Sequence, residues 1–127
     1  MILVDSSVWI DHLRAANASL AELIGDKLVL IHPYVVGELA VGSIKGRGEF
    51  LSKLSDLPSA TIATDNEVLD LIERRALFGR GIGYLDAHLL ASVLLTDGAK
   101  LWTLDRNLHE LAERENCSAG LPHRKSH

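Results

Sequence analysis

Two short apolar runs near opposite ends of the chain each end at an aspartate. Residues 2–4 precede Asp5, and residues 101–104 precede Asp105. An apolar run of this length, followed by a residue that caps helices well, predicts a buried strand that leads into a helix. A third run covers residues 27–31. Because such strands alternate with helical segments, we predict the α/β class, with three layers (α/β/α) and a mostly parallel central sheet.

The length and composition predict one globular domain. The chain has 127 residues, of which 47% are hydrophobic and 24% are charged. This size is typical of a single domain, which we expect to cover residues 1–117. Residues 118–127 contain no acidic side chain and few apolar ones, so we expect a poorly ordered tail there.

Membrane insertion and secretion are not expected. No apolar run approaches the roughly 20 residues of a membrane-spanning helix. Asp5 interrupts the first apolar run, and no basic segment precedes it, so no signal peptide is predicted. Cys117 is the single cysteine, which excludes an intrachain disulfide. We therefore expect a cytoplasmic protein.

The net charge leaves nucleic acid open as a substrate. It is −4, from 13 basic and 17 acidic residues, which argues against a simple basic surface. If four acidic residues hold cations, however, the remaining charges balance. The aromatic residues are scattered along the sequence, so no stacking platform for single-stranded RNA is predicted.

Four acidic residues are candidates for a common site. Asp5 and Asp105 follow strands, at the edge where open parallel sheets bind ligands, although each is also explained as a helix N-cap. Glu38 and Asp86 have mainly apolar neighbours at helical spacing, where an unpaired charge is costly. The alternative for this second pair is a buried salt bridge to an arginine, such as Arg80 or Arg106.

If the four carboxylates converge, their chemistry points to a hard divalent cation. Clustered carboxylates repel one another, and an all-oxygen set is the preference of Mg²⁺ or Mn²⁺. Such a site suits the hydrolysis of a phosphodiester bond. Spacing alone does not establish that the four side chains meet.

The segments around these acids resemble the PIN domain family, and within it the VapC-type toxins of bacterial and archaeal toxin–antitoxin pairs. The resemblance spans residues 1 to about 115 and consists of four motifs in the family's order. These are residues 2–9, 36–40, 83–91 and 101–105. Four ordered motifs are a specific signal, whereas Asp-Ser-Ser alone would be a weak one.

The resemblance implies a PIN fold and Mg²⁺- or Mn²⁺-dependent endoribonuclease activity. It also implies a homodimer, an RNA substrate and inhibition by a cognate antitoxin protein. The family's acidic quartet, which serves catalysis and metal binding, matches Asp5, Glu38, Asp86 and Asp105. Such hydrolysis would leave 5′-phosphate and 3′-hydroxyl ends.

Four further residues match or depart from the family's supporting positions. Ser6 or Ser7, and Thr103, stand where the family often places hydroxyls that support the site. Asn107 stands where many relatives have a second aspartate. It offers a carbonyl oxygen but no charge, which predicts a weaker second metal site.

The glycine-rich segment 79–83 is the remaining candidate for nucleic-acid contact. It lacks the Gly-Lys-Ser/Thr ending of a phosphate-binding loop and follows no predicted strand, so we interpret it as a loop between helices. Arg80 in this loop is a candidate contact to RNA phosphate, and the alternative is a solvated surface arginine.

Two other functions remain open from the sequence. One is a non-catalytic PIN-fold interaction module, for which Asn107 leaves room. The other is a metal-dependent phosphatase acting on small phosphoesters. Asp5 as its nucleophile would normally require a second aspartate at the position of Ser7.

Overall fold

Three parallel strands in the order β2-β1-β3 form the centre of the fold. In the computed structural model, which describes residues 1–123, the strands are β1 (Ile2–Val4), β2 (Val29–Leu30) and β3 (Lys100–Trp102). β1 pairs with both neighbours, so that Ile2 lies opposite Val29 on one side and Lys100 on the other. The predicted α/β class and its parallel sheet are confirmed.

Seven helices connect and flank the strands in the described part of the chain. They are α1 (Ser6–Arg14), α2 (Ala18–Gly25), α3 (Pro33–Ala40), α4 (Arg47–Ser55), α5 (Asp65–Arg74), α6 (Tyr84–Leu95) and α7 (Arg106–Arg114). α1 packs on α3, α5 packs on α6, and both α6 and α7 contact β3. No helix within residues 1–123 has the length and apolarity needed to cross a membrane.

The helices begin where the sequence supplies capping side chains. Thr64 accepts a hydrogen bond from the Glu67 backbone, while the Glu67 carboxylate accepts one from the Thr64 backbone. This reciprocal pair satisfies two donors that the first turn of α5 leaves free. α6 supplies the largest buried helix surface, because residues 87–93 are all buried. It packs against both α5 and β3.

Single parallel bridges extend the sheet at both edges. Ile31 pairs with Ser59 beyond β2, and Leu101 pairs with Ser118 beyond β3. The sequence also predicts a brief strand over residues 60–63, but the structure has only the bridge at Ser59, just before it. Leu101 N–H donates to Cys117 O over 2.7 Å.

The structure differs from the predicted tail over residues 118–123. Ala119 N–H donates to Leu101 O over 3.0 Å, and Trp102 Nε1 donates to Pro122 O over 2.8 Å. The free edge of β3 exposes backbone groups that need partners, and this segment supplies them. The rest of the predicted tail, residues 124–127, lies outside the described residues.

Candidate active site

The parallel pairing of β1 and β3 brings Asp5 and Asp105 to one edge of the sheet. Asp5 N–H donates to Trp102 O over 2.9 Å, and Asp105 follows three residues after that tryptophan. Both aspartates are helix N-caps. Oδ1 of Asp5 accepts from Ser6 N–H over 2.8 Å, and Oδ1 of Asp105 accepts from Leu108 N–H over 2.9 Å. Capping occupies one oxygen of each carboxylate, so the second oxygen is left for other contacts.

Two hydroxyls fix the second oxygen of Asp5. Ser7 Oγ and Thr103 Oγ1 each donate to Asp5 Oδ2 over 2.7 Å. The same hydroxyls accept backbone hydrogen bonds, Ser7 from Leu104 N–H and Thr103 from Asp105 N–H, both over 3.0 Å. Each hydroxyl therefore has its single proton directed at Asp5. Ser7 and Thr103 occupy the supporting positions that the sequence predicts for them.

Ser6 lies between Asp5 and the next acidic residue. Its side chain is buried, and its Oγ lies 3.5 Å from Asp5 Oδ1. The nearby Ser6 hydroxyl also opposes the rise in the pKa of Glu38, because a hydroxyl favours a charged carboxylate. Both serines after Asp5 thus contact acidic side chains of the site.

Glu38 and Asp86 are more open to solvent than the sequence predicts. The expectation that both lie on buried apolar faces is wrong. Glu38 is exposed beside a groove, and Asp86 is only partly buried in the first turn of α6. Leu89 and Leu90, one turn after Asp86, are buried, whereas Val41, three residues after Glu38, is 88% exposed.

The salt-bridge alternative for these acids also fails. Arg106 pairs with Glu110 instead, over 3.4 Å. Among residues 1–123, no lysine or arginine forms an ion pair with any of the four candidate carboxylates. The negative charge at this edge of the sheet is therefore not neutralised by side chains of the described region.

Mutual repulsion links the four carboxylates. Partial burial, and then the charges of Asp5 and Asp86, raise the pKa of Glu38 above its ordinary range. Burial also raises the pKa of Asp86; the charges of Asp5 and Asp105 add to this, and a hydrogen bond from Gly83 N–H opposes it. Glu38 thus lies near Asp5 and Asp86, and Asp86 lies near Asp5 and Asp105; these four residues define the acidic cleft.

This carboxylate set suits a hydrated hard cation. Within residues 1–123, no three His, Cys, Asp or Glu side chains already surround one point closely enough to coordinate an ion directly. Mg²⁺ keeps several of its waters when it binds to one or two carboxylates, so it does not require such a closed shell. The unneutralised oxygens therefore fit a cation held partly through water.

Asn107 and Arg80 lie to one side of the acidic cleft. Asn107, in the first turn of α7, donates from Nδ2 to Gly81 O over 3.3 Å. Arg80 is exposed in the same loop, between α5 and α6, as the sequence predicts. The loop is therefore tied to α7 beside Asp105, and Arg80 is free to contact a substrate.

An apolar groove beside Glu38 was not predicted from the sequence. It encloses about 400 Å³, and its lining includes Ile10, Leu13, Leu39 and Ile44, with Arg14 and Lys45. The signal in the sequence is that α1 carries more apolar residues than one buried face needs. Val8 and Trp9 fill the core, whereas Ile10 and Leu13 remain 44% and 40% exposed.

The role of His32 was also not predicted from the sequence. Its buried side chain caps α3 by accepting from Tyr34 N–H at Nδ1 over 3.1 Å, and its Nε2 lies 3.1 Å from Ser92 Oγ. Burial, with a smaller contribution from nearby His88, lowers the pKa of His32 to about 4. This neutral histidine joins α3 to α6, the helices that carry Glu38 and Asp86.

Comparison with known proteins identifies relatives along most of the chain. The PIN domain family matches residues 2–114. Ribonuclease VapC32 of Mycobacterium tuberculosis (strain CDC 1551 / Oshkosh) is 56% identical over 108 residues, which cover 85% of this chain and 87% of that protein. The protein of the same name from strain ATCC 25618 / H37Rv has the same identity and coverage.

Proposed function

Because the chain belongs to the PIN domain family and, within it, to the VapC ribonucleases, we propose that it is an endoribonuclease and the toxin of a toxin–antitoxin pair. The observation that carries the proposal is that the charges of Asp5 and Asp86 reach Glu38, while those of Asp5 and Asp105 reach Asp86, with no lysine or arginine of the described region paired to any of the four. A phosphodiester is a substrate whose hydrolysis such a site assists. A small phosphoester is less favoured, because Ser7 supports Asp5 through a hydrogen bond and no second aspartate flanks it.

The residues that would hold Mg²⁺ or Mn²⁺ are these same four carboxylates. Repulsion among them, without a compensating lysine or arginine in the described region, supports a divalent cation as the missing positive charge. Such a cation, when bound, promotes ionisation of water and stabilises the negative charge that develops on phosphoryl oxygens.

The protein's own contribution is to fix oxygen positions before the substrate arrives. Ser7 and Thr103 hold Asp5 in one orientation, and capping of α7 holds Asp105. Preorganised groups of this kind lower the barrier because they need not reorient during the reaction. Water adds to phosphorus and the bond to the 3′ oxygen breaks, which leaves 5′-phosphate and 3′-hydroxyl ends.

Arg80 is placed to hold the RNA backbone. It is exposed in the loop that precedes Asp86, and a guanidinium binds phosphate oxygens with two parallel hydrogen bonds. The contact would orient the strand without reading its sequence. Because the proposed substrate is RNA, we expect the protein to act in the cytoplasm.

The antitoxin is expected to cover the acidic cleft with an amphipathic segment. The groove lined by Ile10, Leu13, Leu39 and Ile44 offers it an apolar surface that continues directly to Glu38. A partner seated there would block access of RNA to that carboxylate. Homodimerisation is supported by a different surface, between α5 and α6, where Leu94 and Leu95 are about half exposed and line a second groove.

Cleavage of a mixed RNA pool by the purified protein tests the function. We expect cleavage with Mg²⁺ or Mn²⁺, loss of cleavage with chelator, and loss with Asp86→Asn. Products should carry 5′-phosphate ends, so 2′,3′-cyclic phosphate ends would exclude the proposed mechanism. Equal RNA turnover by the wild type and the variant, in both metals, would instead favour a non-catalytic interaction module.

A further inference from the structure

Asn107 and Gly81 lie in direct contact, and we propose that Asn107 is a positioning residue that sets the place of Asp86 in the cleft. The inference rests on the proposed function. Asn107 Nδ2 donates to Gly81 O over 3.3 Å. A Cβ atom at Gly81 would lie 2.5 Å from Asn107 Nδ2 and 3.2 Å from its Cγ. The amide therefore abuts Gly81, and a side chain at position 81 would displace it.

The contact joins two acidic helix ends that are distant in sequence. Asn107 follows Asp105 by two residues in α7. On the other side, Gly81 precedes Gly83 by two residues, and Gly83 N–H donates to Asp86 Oδ2 over 3.3 Å. Gly81 itself has a φ of +77°, in the left-handed region that glycine adopts readily. A loop this permissive needs an external contact to hold the start of α6 in one place.

The amide, rather than a carboxylate, is what this contact requires. An aspartate at position 107 would have no proton to donate at neutral pH, and its negative oxygen would face Gly81 O. Asn107 can donate this hydrogen bond, whereas the second aspartate that many relatives have at this position cannot. Asn107 accordingly holds the loop in place through the hydrogen bond from Nδ2 to Gly81 O, and it is not needed as a metal ligand.

Hydrogen–deuterium exchange of the metal-free protein tests the contact independently of catalysis. In Asn107→Ala and Asn107→Asp, the Gly83 amide, which donates to Asp86, should exchange about three- to tenfold faster than in the wild type, as expected when the loop loses one hydrogen bond. Arg106→Ala is the matched control, since Arg106 lies in the same turn of α7 but pairs with Glu110. Unchanged exchange of the loop in Asn107→Ala would overturn the proposal.

The steric fit gives a second test. Gly81→Ala should accelerate loop exchange much more in the wild type than in the Asn107→Ala background, because only the wild type has a side chain in the path of the new Cβ. The strain from the positive φ of residue 81 is common to both backgrounds and cancels. Equal effects of Gly81→Ala in the two backgrounds would show that the side chains do not abut.

RNA cleavage and metal affinity separate positioning from metal ligation. If Asn107 positions Asp86, Asn107→Ala and Asn107→Asp should lower kcat about tenfold or more, leave KM within about twofold, and not tighten Mn²⁺ binding. If residue 107 is instead a metal ligand, Asn107→Asp should tighten Mn²⁺ binding and raise kcat, which would overturn the proposal. A wild type that cleaves no RNA would refute the proposed function, whereas the exchange result would still decide the contact.

Discussion

Thr103 Oγ1 lies 2.7 Å from Asp5 Oδ2, so one hydrogen bond joins residues that are 98 positions apart in the sequence. Thr103 Oγ1 also accepts a hydrogen bond from Asp105 N–H over 3.0 Å. Thr103 thus connects the two strand-end aspartates through a single buried hydroxyl. The orientation of the site depends on the parallel pairing of β1 and β3, which puts the two strand ends side by side.

Replacing Thr103 with valine should weaken both stability and RNA cleavage. Valine keeps the volume but removes the hydroxyl, so Asp105 N–H loses its partner; we expect a cost of about 1–3 kcal/mol in the free energy of unfolding. Because Asp5 also loses the hydrogen bond from Thr103 that positions it, the cleavage rate should fall about tenfold to hundredfold. Urea unfolding and single-turnover cleavage measure the two effects.

Thr103→Ser separates the hydroxyl from the methyl group. Serine retains the donor and acceptor, so its cleavage rate should stay within about threefold of the wild type. A valine variant that cleaves RNA as fast as the serine variant would show that the hydroxyl does not position Asp5.

Metal binding should appear as stabilisation that depends on Asp86. In chelator, Asp86→Asn should unfold about 1–3 °C above the wild type, because it removes a carboxylate whose pKa is raised by burial and by Asp5 and Asp105. Saturating Mn²⁺ should raise the Tm of the wild type by about 5–10 °C and that of the variant by much less. Differential scanning fluorimetry gives both values.

The control for this experiment is an acidic residue outside the cleft. Asp97 is exposed after α6, and Asp97→Asn should respond to Mn²⁺ as the wild type does. If Asp86→Asn were stabilised by Mn²⁺ as strongly as Asp97→Asn, the cation would bind elsewhere.

The strand-end aspartates were predictable because their signals are local. Apolar runs of three or four residues before Asp5 and Asp105 define buried strands, and the side chains then cap the next helix. The capping interpretation and the site interpretation are both compatible with the structure, since a carboxylate has two oxygens. A choice between the two interpretations was therefore unnecessary.

The environment of Glu38 was not predictable from helical spacing. Val35, three residues before Glu38, is buried, but Val41, three residues after it, is 88% exposed, because α3 ends at Ala40 beside the groove. The contact of Asn107 with Gly81 depends in the same way on how α7 meets a loop 26 residues earlier. The pairing of Ser118 with Leu101 depends on a strand edge that only the assembled sheet creates.

His32 should make the stability depend on pH in a specific window. Its pKa is lowered to about 4 by burial and by His88, from an ordinary value near 6.5. Below pH 6.5 the unfolded chain therefore binds a proton that the native histidine does not. The contribution of His32 to the free energy of unfolding is therefore fully present above pH 6.5. It falls by about 3 kcal/mol in total as the pH falls from 6.5 to 4.

His32→Asn tests this window without removing the helix cap. Asparagine offers a side-chain oxygen to the first turn of α3 but does not titrate in this range. Urea unfolding at several pH values should give a shallower fall in stability for the variant than for the wild type. Parallel curves for the two proteins between pH 6.5 and 4 would contradict the role of His32.

Arg80 should contribute to RNA affinity through a phosphate contact that does not depend on the RNA sequence. Arg80→Ala should raise the Kd for RNA several-fold and reduce the slope of log affinity against log salt by about one, as expected for loss of one phosphate contact. Asp86→Asn, which should bind RNA without cleaving it, serves as the background for the measurement. Lys53→Ala is the control for net charge, because Lys53 already pairs with Glu49 on α4 and should leave the slope unchanged. Since the contact is to phosphate, the loss should be the same for different RNA sequences; a loss confined to one sequence would mean that Arg80 reads a base instead.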